Sequence, residues 1–416
     1  MSPHPTIPDL ARRAKAASRL VARSSTDVRN DALVTAADLL QADEAAVLAA
    51  NEQDLATARD NGVSSTLLDR LQLTSVKIAG MADGLRQVAT LPDPVGEVLD
   101  GWVRPNGLKI SRVRMPLGVV AIIYEMRPNV TSDAAALCLK SGNAAFLRGS
   151  SAAISSNTAI ETILRSAYEK VGLPADALVL VPDTTREGAV TFMRQRGFVD
   201  CLIPRGGPAL IQSILENATV PYVIDGDGNC HVYVDRSADL SMATNIVVNA
   251  KMQRPSVCNA MESLVVHADV ASKFLPAVAD ALDGVDLVGD ERAHRIAPRI
   301  EPVEDGDYGR EFLELKASVR VVDSLDEAIE HVNEYSSGHS EAIVTEDLGA
   351  AEAFLDRVDA AAVLVNASTR FVDGEEFGFG AEIGISTQKL HARGPMGLRQ
   401  LTSAKYVVRG DGQVRS

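Results

Sequence analysis

The strongest constraint on the fold is an alternation of short apolar runs with amphipathic segments between residues 117 and 368. "GVVAIIY", "NAAFLRG" and "ALVLVP" are continuous apolar runs typical of strands covered on both faces. Helical segments such as "SSNTAIETILRSAYEKVGLP" separate them, and the same alternation resumes near residue 229 with "CHVYVD". Strand and helix in turn are the pattern of a parallel sheet covered on both faces. The sequence therefore predicts an α/β protein with two doubly wound parallel sheets.

The segments on either side of this alternation predict two further parts. Residues 8 to about 92 have the three- and four-residue apolar spacing of helices, with Asp43 and Thr74 as N-cap residues. "LKISRVRMP" alternates like an exposed strand, and "KYVVRG" near the C-terminus is a lone strand that could pair with it. Two strands left over from the main sheets indicate an arm that joins subunits.

Composition and charge indicate which partners and which cellular compartment to expect. A net charge of −15 argues against nucleic acid, because phosphate backbones require a basic face. No apolar run approaches the ~18 residues of a membrane span. The N-terminal segment lacks the apolar core of a signal peptide, and an amphipathic first helix is favoured over an organelle presequence. Four dispersed cysteines without a C-x-x-C pair suit a reducing cytoplasm.

No metal site is predicted. The seven histidines are dispersed, and no histidine–glutamate cluster has ligand spacing. "DGDGN" resembles the start of a calcium loop, but Cys230 stands at its sixth place and Arg236 at its twelfth, where glycine and glutamate are required. This stretch is interpreted as a glycine-rich turn where the backbone approaches a ligand or another strand.

One cysteine lies where a nucleophile could be placed. In "KMQRPSVCNAMES", Cys258 follows a proline at a helix-to-strand corner, with Lys251 and Arg254 near it in sequence. A free thiol with a pKa near 8.5 is only about 3% thiolate at neutral pH, so nearby cations matter. An isolated cysteine is usually a small buried apolar residue, and the residues alone leave both readings open. Of the other three, Cys138 and Cys201 are predicted core residues, and Cys230 is the only rival.

Two strand-to-helix turns are candidates for binding a nucleotide. "PRGGP" at 204–208 follows the strand "VDCLI" and precedes a helix, so its N–H groups could hold phosphate. The strict G-x-G-x-x-G pattern is absent, and a plain turn explains the stretch equally well. "FLRGS" at 146–150 ends another strand, where Arg148 could meet an adenosine ribose or its 2′-phosphate.

Taken together, five stretches resemble one known family. "KMQRPSVCNAMESLVVH", "GVVAIIYEMRPNVTSDAAALCLKSGNAAFLRG", "LPDPVGEVLDGWVRPNGLKI", "CLIPRGG" and "VNASTRFVDGEEFGFGAEIGISTQKLHARGPMGL" are similar in order to the gamma-glutamyl phosphate reductases, or glutamate-5-semialdehyde dehydrogenases, of the aldehyde dehydrogenase superfamily. The resemblance covers nearly the whole chain. No kinase-like segment precedes residue 1, so the expectation is the stand-alone reductase and not the fused two-activity synthase.

The resemblance implies a reaction. It is the NADPH-dependent reduction of L-glutamyl 5-phosphate to L-glutamate 5-semialdehyde and phosphate, the second step of proline biosynthesis from glutamate. The family carries its thiol nucleophile where Cys258 stands, which implies a thioester intermediate. The backbone N–H of Cys258 and the side chain of Asn129, matched through a proline–asparagine loop, are the implied oxyanion donors.

The remaining site residues follow from the same resemblance. Arg148, Gly149 and Ser150 would line the adenosine end of the cofactor, with Gly206 and Gly207 near its pyrophosphate and Glu311 at the nicotinamide ribose. An arginine at 148, where relatives have lysine, fits a 2′-phosphorylated cofactor. Arg127 is the candidate for the departing phosphate, and the substrate-binding candidates are Ser368, Thr369, His391 and Arg393.

The resemblance also implies an aldehyde dehydrogenase-like domain plan. Residues 1–104, 118–228 and 368–390 would bind NADPH, and residues 229–367 would form the catalytic domain. Residues 105–117 and 391–416 would form a β-arm for oligomerisation. The implied partners are a second copy of the chain, in a dimer or tetramer, and glutamate 5-kinase; no nucleic acid or membrane partner is expected, and the location is cytoplasmic.

Three other functions compete with this one. A hydrolysing aldehyde dehydrogenase would need a glutamate base, but the corresponding loop "VIDGDGN" has none, and Asp225 is its nearest acidic residue. A cysteine hydrolase without nucleotide would need a histidine partner for Cys258. A catalytically inactive scaffold that binds the kinase is disfavoured by the intact cysteine turn.

Overall fold

The computed structural model describes residues 5–224 and 226–415. The chain forms two compact units. The first contains Met1–Ile224, Phe379–Gly384 and Met396–Ser416, and the second contains Asp225–Gly378 and Ile385–Pro395.

The first unit begins with helices, as its apolar spacing predicts. They are α1 (Ile7–Val21), α2 (Thr26–Ala42), α3 (Glu44–Asp60), α4 (Ser65–Leu71) and α5 (Ser75–Thr90). The hydroxyl of Thr74 accepts a hydrogen bond from the Lys77 N–H, which confirms it as an N-cap. Asp43 is the N-cap residue of α3, as predicted, but its side chain makes no capping hydrogen bond.

A parallel sheet of four strands forms the centre of the first unit. Its elements in chain order are β3 (Val119–Tyr124), α6 (Asn129–Lys140), β4 (Ala144–Arg148), α7 (Ile154–Lys170), β5 (Leu178–Leu180), α8 (Arg186–Phe192), β6 (Cys201–Arg205) and α9 (Pro208–Asn217). The strand order is β5-β4-β3-β6, so the chain winds outwards from β3 in both directions. Every residue of β3 is buried, as its continuous apolar run predicts. The carboxyl ends of β3, β4 and β6 therefore share one edge, with a change of winding direction beside β3.

A separate antiparallel sheet of three strands completes the first unit. It contains β1 (Val98–Val103), β2 (Lys109–Pro116) and β16 (Thr402–Arg409), with β2 in the middle. The pairing runs from Thr402 opposite Pro116 to Arg409 opposite Lys109. The predicted pairing of "KYVVRG" with "ISRVRM" is confirmed.

The second unit contains a seven-stranded parallel sheet in the order β10-β9-β11-β8-β7-β12-β13. Its elements are β7 (Cys230–Val234), α10 (Leu240–Met252), β8 (Met261–His267), α11 (Ala268–Ala281), β9 (Asp286–Gly289), α12 (Glu291–Ile296), β10 (Glu301–Pro302), β11 (Lys316–Val322), α13 (Leu325–Tyr335), β12 (Ser340–Val344), α14 (Leu348–Arg357) and β13 (Ala362–Val365). A small hairpin of β14 (Ile385–Ser386) and β15 (Gly394–Pro395) belongs to the same unit. Both main sheets are doubly wound, as the strand–helix alternation predicts.

One helix lacks a side-chain cap, and the compact units do not follow the predicted domains. Helix α6 begins at Asn129 without a capping side chain, because Pro128 occupies the cap position. The compact units also follow other boundaries than the predicted domains, since 368–378 and 385–395 group with the second unit. The assignment of cofactor-binding and catalytic roles to the domains stays a prediction. In the part of the chain that the structure describes, no helix is long and apolar enough to cross a membrane.

Candidate active site

Cys258 lies in the turn between α10 and β8 of the second unit. Pro255 stops the helix, and a hydrogen bond of 3.0 Å from the Ala260 N–H to the Val257 carbonyl closes the turn. Cys258 is partly exposed, whereas Cys138, Cys201 and Cys230 are buried. It is thus the cysteine of the chain that a solute can reach.

Cys230, the first residue of β7, and Gly228, in the loop before it, hold the Cys258 peptide. The Cys230 thiol donates a hydrogen bond of 3.1 Å to the Cys258 carbonyl oxygen. Gly228 packs flat against the same peptide, since a Cβ at that position would lie 1.7 Å from this oxygen and 2.5 Å from the Cys258 Cα. Only glycine allows so close an approach of the two backbones. The glycine-rich turn predicted at "DGDGN" therefore lies against the candidate nucleophile, and its Asp225 falls outside the described residues.

Glu311 fixes the position of Gly228 through a hydrogen bond. Its Oε1 accepts a hydrogen bond of 2.8 Å from the Gly228 N–H. The residue that sequence similarity assigns to the nicotinamide ribose is thus linked to the nucleophile turn through one glycine. Its cofactor role stays a prediction.

A buried ion pair lies at the two ends of the turn. Lys251, in the last turn of α10, and Glu262, in β8, are joined at 2.7 Å with both side chains fully buried. Burial raises the pKa of Glu262 to about 7 and lowers that of Lys251, in each case against the favourable effect of the partner. The Leu313 N–H also donates to Glu262, at 3.2 Å. The Lys251 ammonium group is therefore already paired with the Glu262 carboxylate.

The residue after the nucleophile links the turn to a second segment. The amide of Asn259 donates hydrogen bonds to the carbonyl oxygens of Val372, at 2.9 Å, and Arg370, at 3.4 Å. These carbonyls belong to the one-turn 3₁₀ helix Thr369–Phe371 and the residue after it. Asn259 thereby brings the segment 368–372 to the Cys258 turn.

The other three thiols are unsuited to nucleophilic attack. Burial raises the pKa of Cys201 to about 12, with a further contribution from Asp200. Burial also raises the pKa values of Cys138 and Cys230, the latter with help from Glu341. A buried thiol with a raised pKa provides little thiolate at neutral pH. The predicted structural roles of these three cysteines are consistent with their complete or nearly complete burial.

The predicted pyrophosphate residues lie at the carboxyl end of β6 in the first unit. Gly207 is the N-cap of α9, and its N–H donates to a carboxylate oxygen of Glu125 at 3.3 Å. A Cβ on Gly206 would lie 2.8 Å from the carboxyl carbon of Glu125, so any other side chain at position 206 would clash with this glutamate. A helix N-terminus favours anions. The Glu125 carboxylate occupies the place at this helix N-terminus that a phosphate would take, and the binding of a pyrophosphate by these glycines stays a prediction.

The predicted adenosine residues lie at the carboxyl end of β4. A Cβ on Gly149 would meet the Asn157 amide nitrogen at 2.2 Å, and the Ser150 Oγ is buried without a hydrogen-bond partner among the described residues. An orphaned buried hydroxyl beside a close glycine suits a polar ligand.

Arg148 is held differently from the sequence expectation. It is buried, and its guanidinium donates to the carbonyl oxygens of Asp183, at 3.2 Å, and Thr185, at 2.6 Å. Burial lowers its pKa, and Asp183 partly opposes this effect. These bonds hold the loop before α8. Binding of a 2′-phosphate by this residue stays a prediction.

Asn129 and Arg127 follow β3 in the first unit. The Asn129 amide donates to Asp133 at 2.9 Å, one helical turn further on. Burial raises the pKa of Asp133 to about 6, and the bond from Asn129 acts in the opposite direction. The Arg127 N–H donates to the Glu125 carbonyl at 2.5 Å. Their predicted roles as oxyanion donor and phosphate ligand stay predictions.

The predicted substrate residues divide into two groups within the second unit. Ser368 and Thr369 lie next to Arg370 on the segment that Asn259 binds, and both are buried. The Ser368 hydroxyl accepts from the Arg370 N–H at 3.3 Å, and the Thr369 Oγ1 has no partner among the described residues. His391 is exposed, and Arg393 forms an ion pair of 2.9 Å with Asp359.

Sequence reasoning missed Arg370 as a neighbour of the turn, and it did not identify the contacts that Gly228 and Asn259 make. The glycine-rich loop was recognised as a point of close approach, but nothing local identifies what approaches it. Across residues 5–224 and 226–415, no group of three or more histidine, cysteine or acidic residues is placed to hold a metal ion.

Comparisons with known proteins agree with this architecture. The model of the aldehyde dehydrogenase family matches residues 4–305 and 317–407. A gamma-glutamyl phosphate reductase of Moorella thermoacetica is 55% identical over 405 residues, which are 97% of each chain. One of Thermobifida fusca is 54% identical over 98% of each. The crystal structure of the Thermotoga maritima gamma-glutamyl phosphate reductase superposes with a TM-score of 0.97 at 45% identity, covering 99% of this chain and 100% of the other. This chain belongs to the aldehyde dehydrogenase family, in the group of the gamma-glutamyl phosphate reductases.

Proposed function

We propose that this protein reduces L-glutamyl 5-phosphate to L-glutamate 5-semialdehyde and phosphate with NADPH, the second step of proline biosynthesis. Its relatives bear the name of this activity and match the chain over nearly its full length. The observation that carries the proposal is the partly exposed Cys258 in a turn fixed on both sides, beside three buried thiols.

The reaction would begin at the sulfur of Cys258. Its thiolate attacks the acyl carbon, the bond from that carbon to the phosphate oxygen breaks, and phosphate leaves. The product is a thioester on Cys258. The Cys258 N–H and the Asn129 amide are the proposed donors to the oxyanion of this step.

The nicotinamide, when bound, supplies a hydride to the thioester carbon. The residues proposed to hold the nucleotide are Gly149, Ser150, Gly206 and Gly207, with Arg148 at its 2′-phosphate and Glu311 at the nicotinamide ribose. When the carbon–sulfur bond breaks, the aldehyde leaves and the Cys258 thiolate returns. Arg127, Ser368, Thr369, His391 and Arg393 are the proposed residues for binding the substrate.

The reverse reaction tests this function. Glutamate semialdehyde should reduce NADP⁺ only when inorganic phosphate is present, because phosphate must release the acyl group from Cys258. Reduction without phosphate, with free glutamate as the product, would instead identify a hydrolysing aldehyde dehydrogenase. Mass spectrometry after incubation with the acyl phosphate should find an adduct on the peptide that contains Cys258.

We also propose that the three-stranded sheet joins two copies of the chain. Trp102, Val103, Tyr406 and Val408 leave large apolar areas of this sheet exposed, and the rings of Trp102 and Tyr406 lie 6.3 Å apart. Such surfaces on a small sheet favour burial against a partner. Light scattering should give a dimer or tetramer, and the double variant W102S/Y406S should give a smaller species. Association with glutamate 5-kinase and a cytoplasmic location are further proposals that rest on family similarity.

A further inference from the structure

Two arginines lie near the nucleophile turn, and neither has a role in the function proposed above. Arg254 lies four residues before Cys258, and Arg370 lies in the segment bound by Asn259. The Arg370 Nε donates a hydrogen bond of 2.7 Å to the Gln253 side chain, next to Arg254. The segment 368–372 is thus attached to the start of the turn through Gln253 and to its end through Asn259.

The bond to Gln253 places the Arg370 guanidinium at the residue that precedes Arg254, five residues before Cys258. The pKa of Arg370 is lowered, first by burial, then by repulsion from Arg254, while Asp373 and Cys258 act in the opposite direction. Two cations held near each other, one of them half-buried, are an unfavourable arrangement that a bound anion would relieve.

Neither arginine has a carboxylate partner in a direct ion pair within the described ranges 5–224 and 226–415. Asp373 is the acidic residue that most affects Arg370, but its Oδ1 accepts from the N–H groups of Glu375, at 2.9 Å, and Glu376, at 3.4 Å. With Nε bound to Gln253, the two terminal nitrogens of Arg370 are left for a ligand. A guanidinium in this state suits an oxyanion that accepts two parallel hydrogen bonds.

We infer that Arg254 and Arg370 form a phosphate subsite beside Cys258, which holds the phosphoryl group of the acyl phosphate and the inorganic phosphate that departs. The inference rests on the proposed function for the identity of the acyl group, but the subsite itself requires only a phosphate. Such a subsite would make the enzyme prefer acyl phosphates to acyl groups on other carriers, because it would bind the phosphate leaving group at the place of its release.

The test uses inorganic phosphate as a probe and does not require turnover. The rate at which iodoacetamide alkylates Cys258 is followed by peptide mass spectrometry at increasing phosphate, with sodium chloride at equal ionic strength as the reference. Phosphate should slow the alkylation saturably in the wild-type protein. In R370A and R254A, the phosphate concentration for half-protection should rise at least about tenfold, the loss expected for one charge-assisted contact.

Two further variants keep the result interpretable. R370K retains the charge without the two-pronged geometry, so its half-protection should lie between those of the wild type and R370A. R295A removes an exposed arginine that pairs with Glu291 on α12, and it should behave as wild type. Circular dichroism and melting temperature establish that each variant is folded. Wild-type protection no greater than that by chloride, or equal protection in R254A, R370A and R295A, would overturn the subsite.

The same variants separate the subsite from the proposed reaction. In the reverse assay, the KM for phosphate should rise at least about tenfold in R370A, while the KM for NADP⁺ stays within about twofold. Protection of Cys258 by phosphate without any reductase activity would refute the proposed function and leave the subsite standing. Reductase activity with an unchanged phosphate KM in both arginine variants would refute the subsite alone.

Discussion

The Cys230 thiol donates its hydrogen bond to the carbonyl oxygen of Cys258, 3.1 Å away. One cysteine of the pair is fully buried and fixes a backbone, and the other is partly exposed. Because Gly228 packs against the same peptide, two residues restrain the backbone of the turn at the residue that would react. A nucleophile benefits from such support, because small displacements of a reacting atom are costly.

Replacement of Cys258 by alanine should abolish reduction and preserve the fold. The side chain is partly exposed, so its loss leaves no large cavity. We expect kcat to fall by about 10³ or more, since no other thiol can take its place. Steady-state assays and a melting curve check this. Cys201→Ala is the matched control, and residual turnover of a few per cent in Cys258→Ala would mean that the nucleophile is elsewhere.

Iodoacetamide should modify Cys258 first in the folded protein. Cys138, Cys201 and Cys230 are buried and their pKa values are raised by that burial, so both access and thiolate are lacking. We expect at least about a hundredfold difference in rate between Cys258 and each of the others. Peptide mass spectrometry over time measures it, and in denaturant all four should react at similar rates. Early labelling of Cys230 would contradict the structure.

Gly228→Ala should inactivate the enzyme through the position of the nucleophile. The added Cβ would lie 1.7 Å from the Cys258 carbonyl oxygen, so the two backbones must separate. A shift near 1 Å at a reacting group lowers activity by about a hundredfold. Gly309→Ala is the control in the same unit, since the nearest neighbour of its added Cβ would be a Tyr335 ring carbon at 3.8 Å. If kcat/KM in Gly228→Ala matched that of the control, the close contact would have no role in catalysis.

Arg148→Ala tests whether this residue recognises a 2′-phosphate or only holds its loop. If the guanidinium reaches the phosphate, the affinity for NADPH should fall about tenfold more than that for NADH. Fluorescence titration with both cofactors gives the two dissociation constants. Equal losses would assign Arg148 to the support of the loop through the Asp183 and Thr185 carbonyls alone.

His339 should make the protein less stable in mild acid. Burial lowers its pKa to about 4 from an ordinary 6.5, and it faces the Cys230 thiol and the Ser340 hydroxyl, 3.8 and 2.7 Å from its Nδ1. Its neutral form contributes stability above pH 6.5, and that contribution is lost as the pH falls towards 4, because the unfolded state binds the proton more readily. Urea unfolding of the wild type should therefore lose up to about 1.4 kcal/mol more per pH unit in this window than His339→Asn or His339→Gln. Parallel stability curves in all three proteins would refute this.

The main sheets could be predicted from the sequence because burial on both faces leaves a local signature. The strand β3 is apolar at every position, and the stop of α7 before Gly172, which has a φ of 81°, follows from glycine's tolerance of that angle. Capping was less predictable. Asp43 has the right residue type for an N-cap, but its φ and ψ of −99° and 19° differ from the extended backbone that capping requires.

The surroundings of Cys258 could not be predicted in the same way. The residue itself was singled out by its turn and then by family resemblance. Gly228, Glu311 and Arg370 lie about 30 to 110 residues from it along the chain, and their contacts depend on strand order and loop path. Arg148 shows the same difficulty in reverse, since its place at a strand end was predicted and its carbonyl partners 35 and 37 residues away were not.

The division of the chain into two units has a consequence for how such enzymes can diversify. The path passes from one unit to the other after residues 224, 378, 384 and 395. A gene recombined at any one of these junctions would therefore assemble the first unit from two different parents. Neither unit can be exchanged as one uninterrupted block, so we expect the two to be inherited together and to accumulate matched changes.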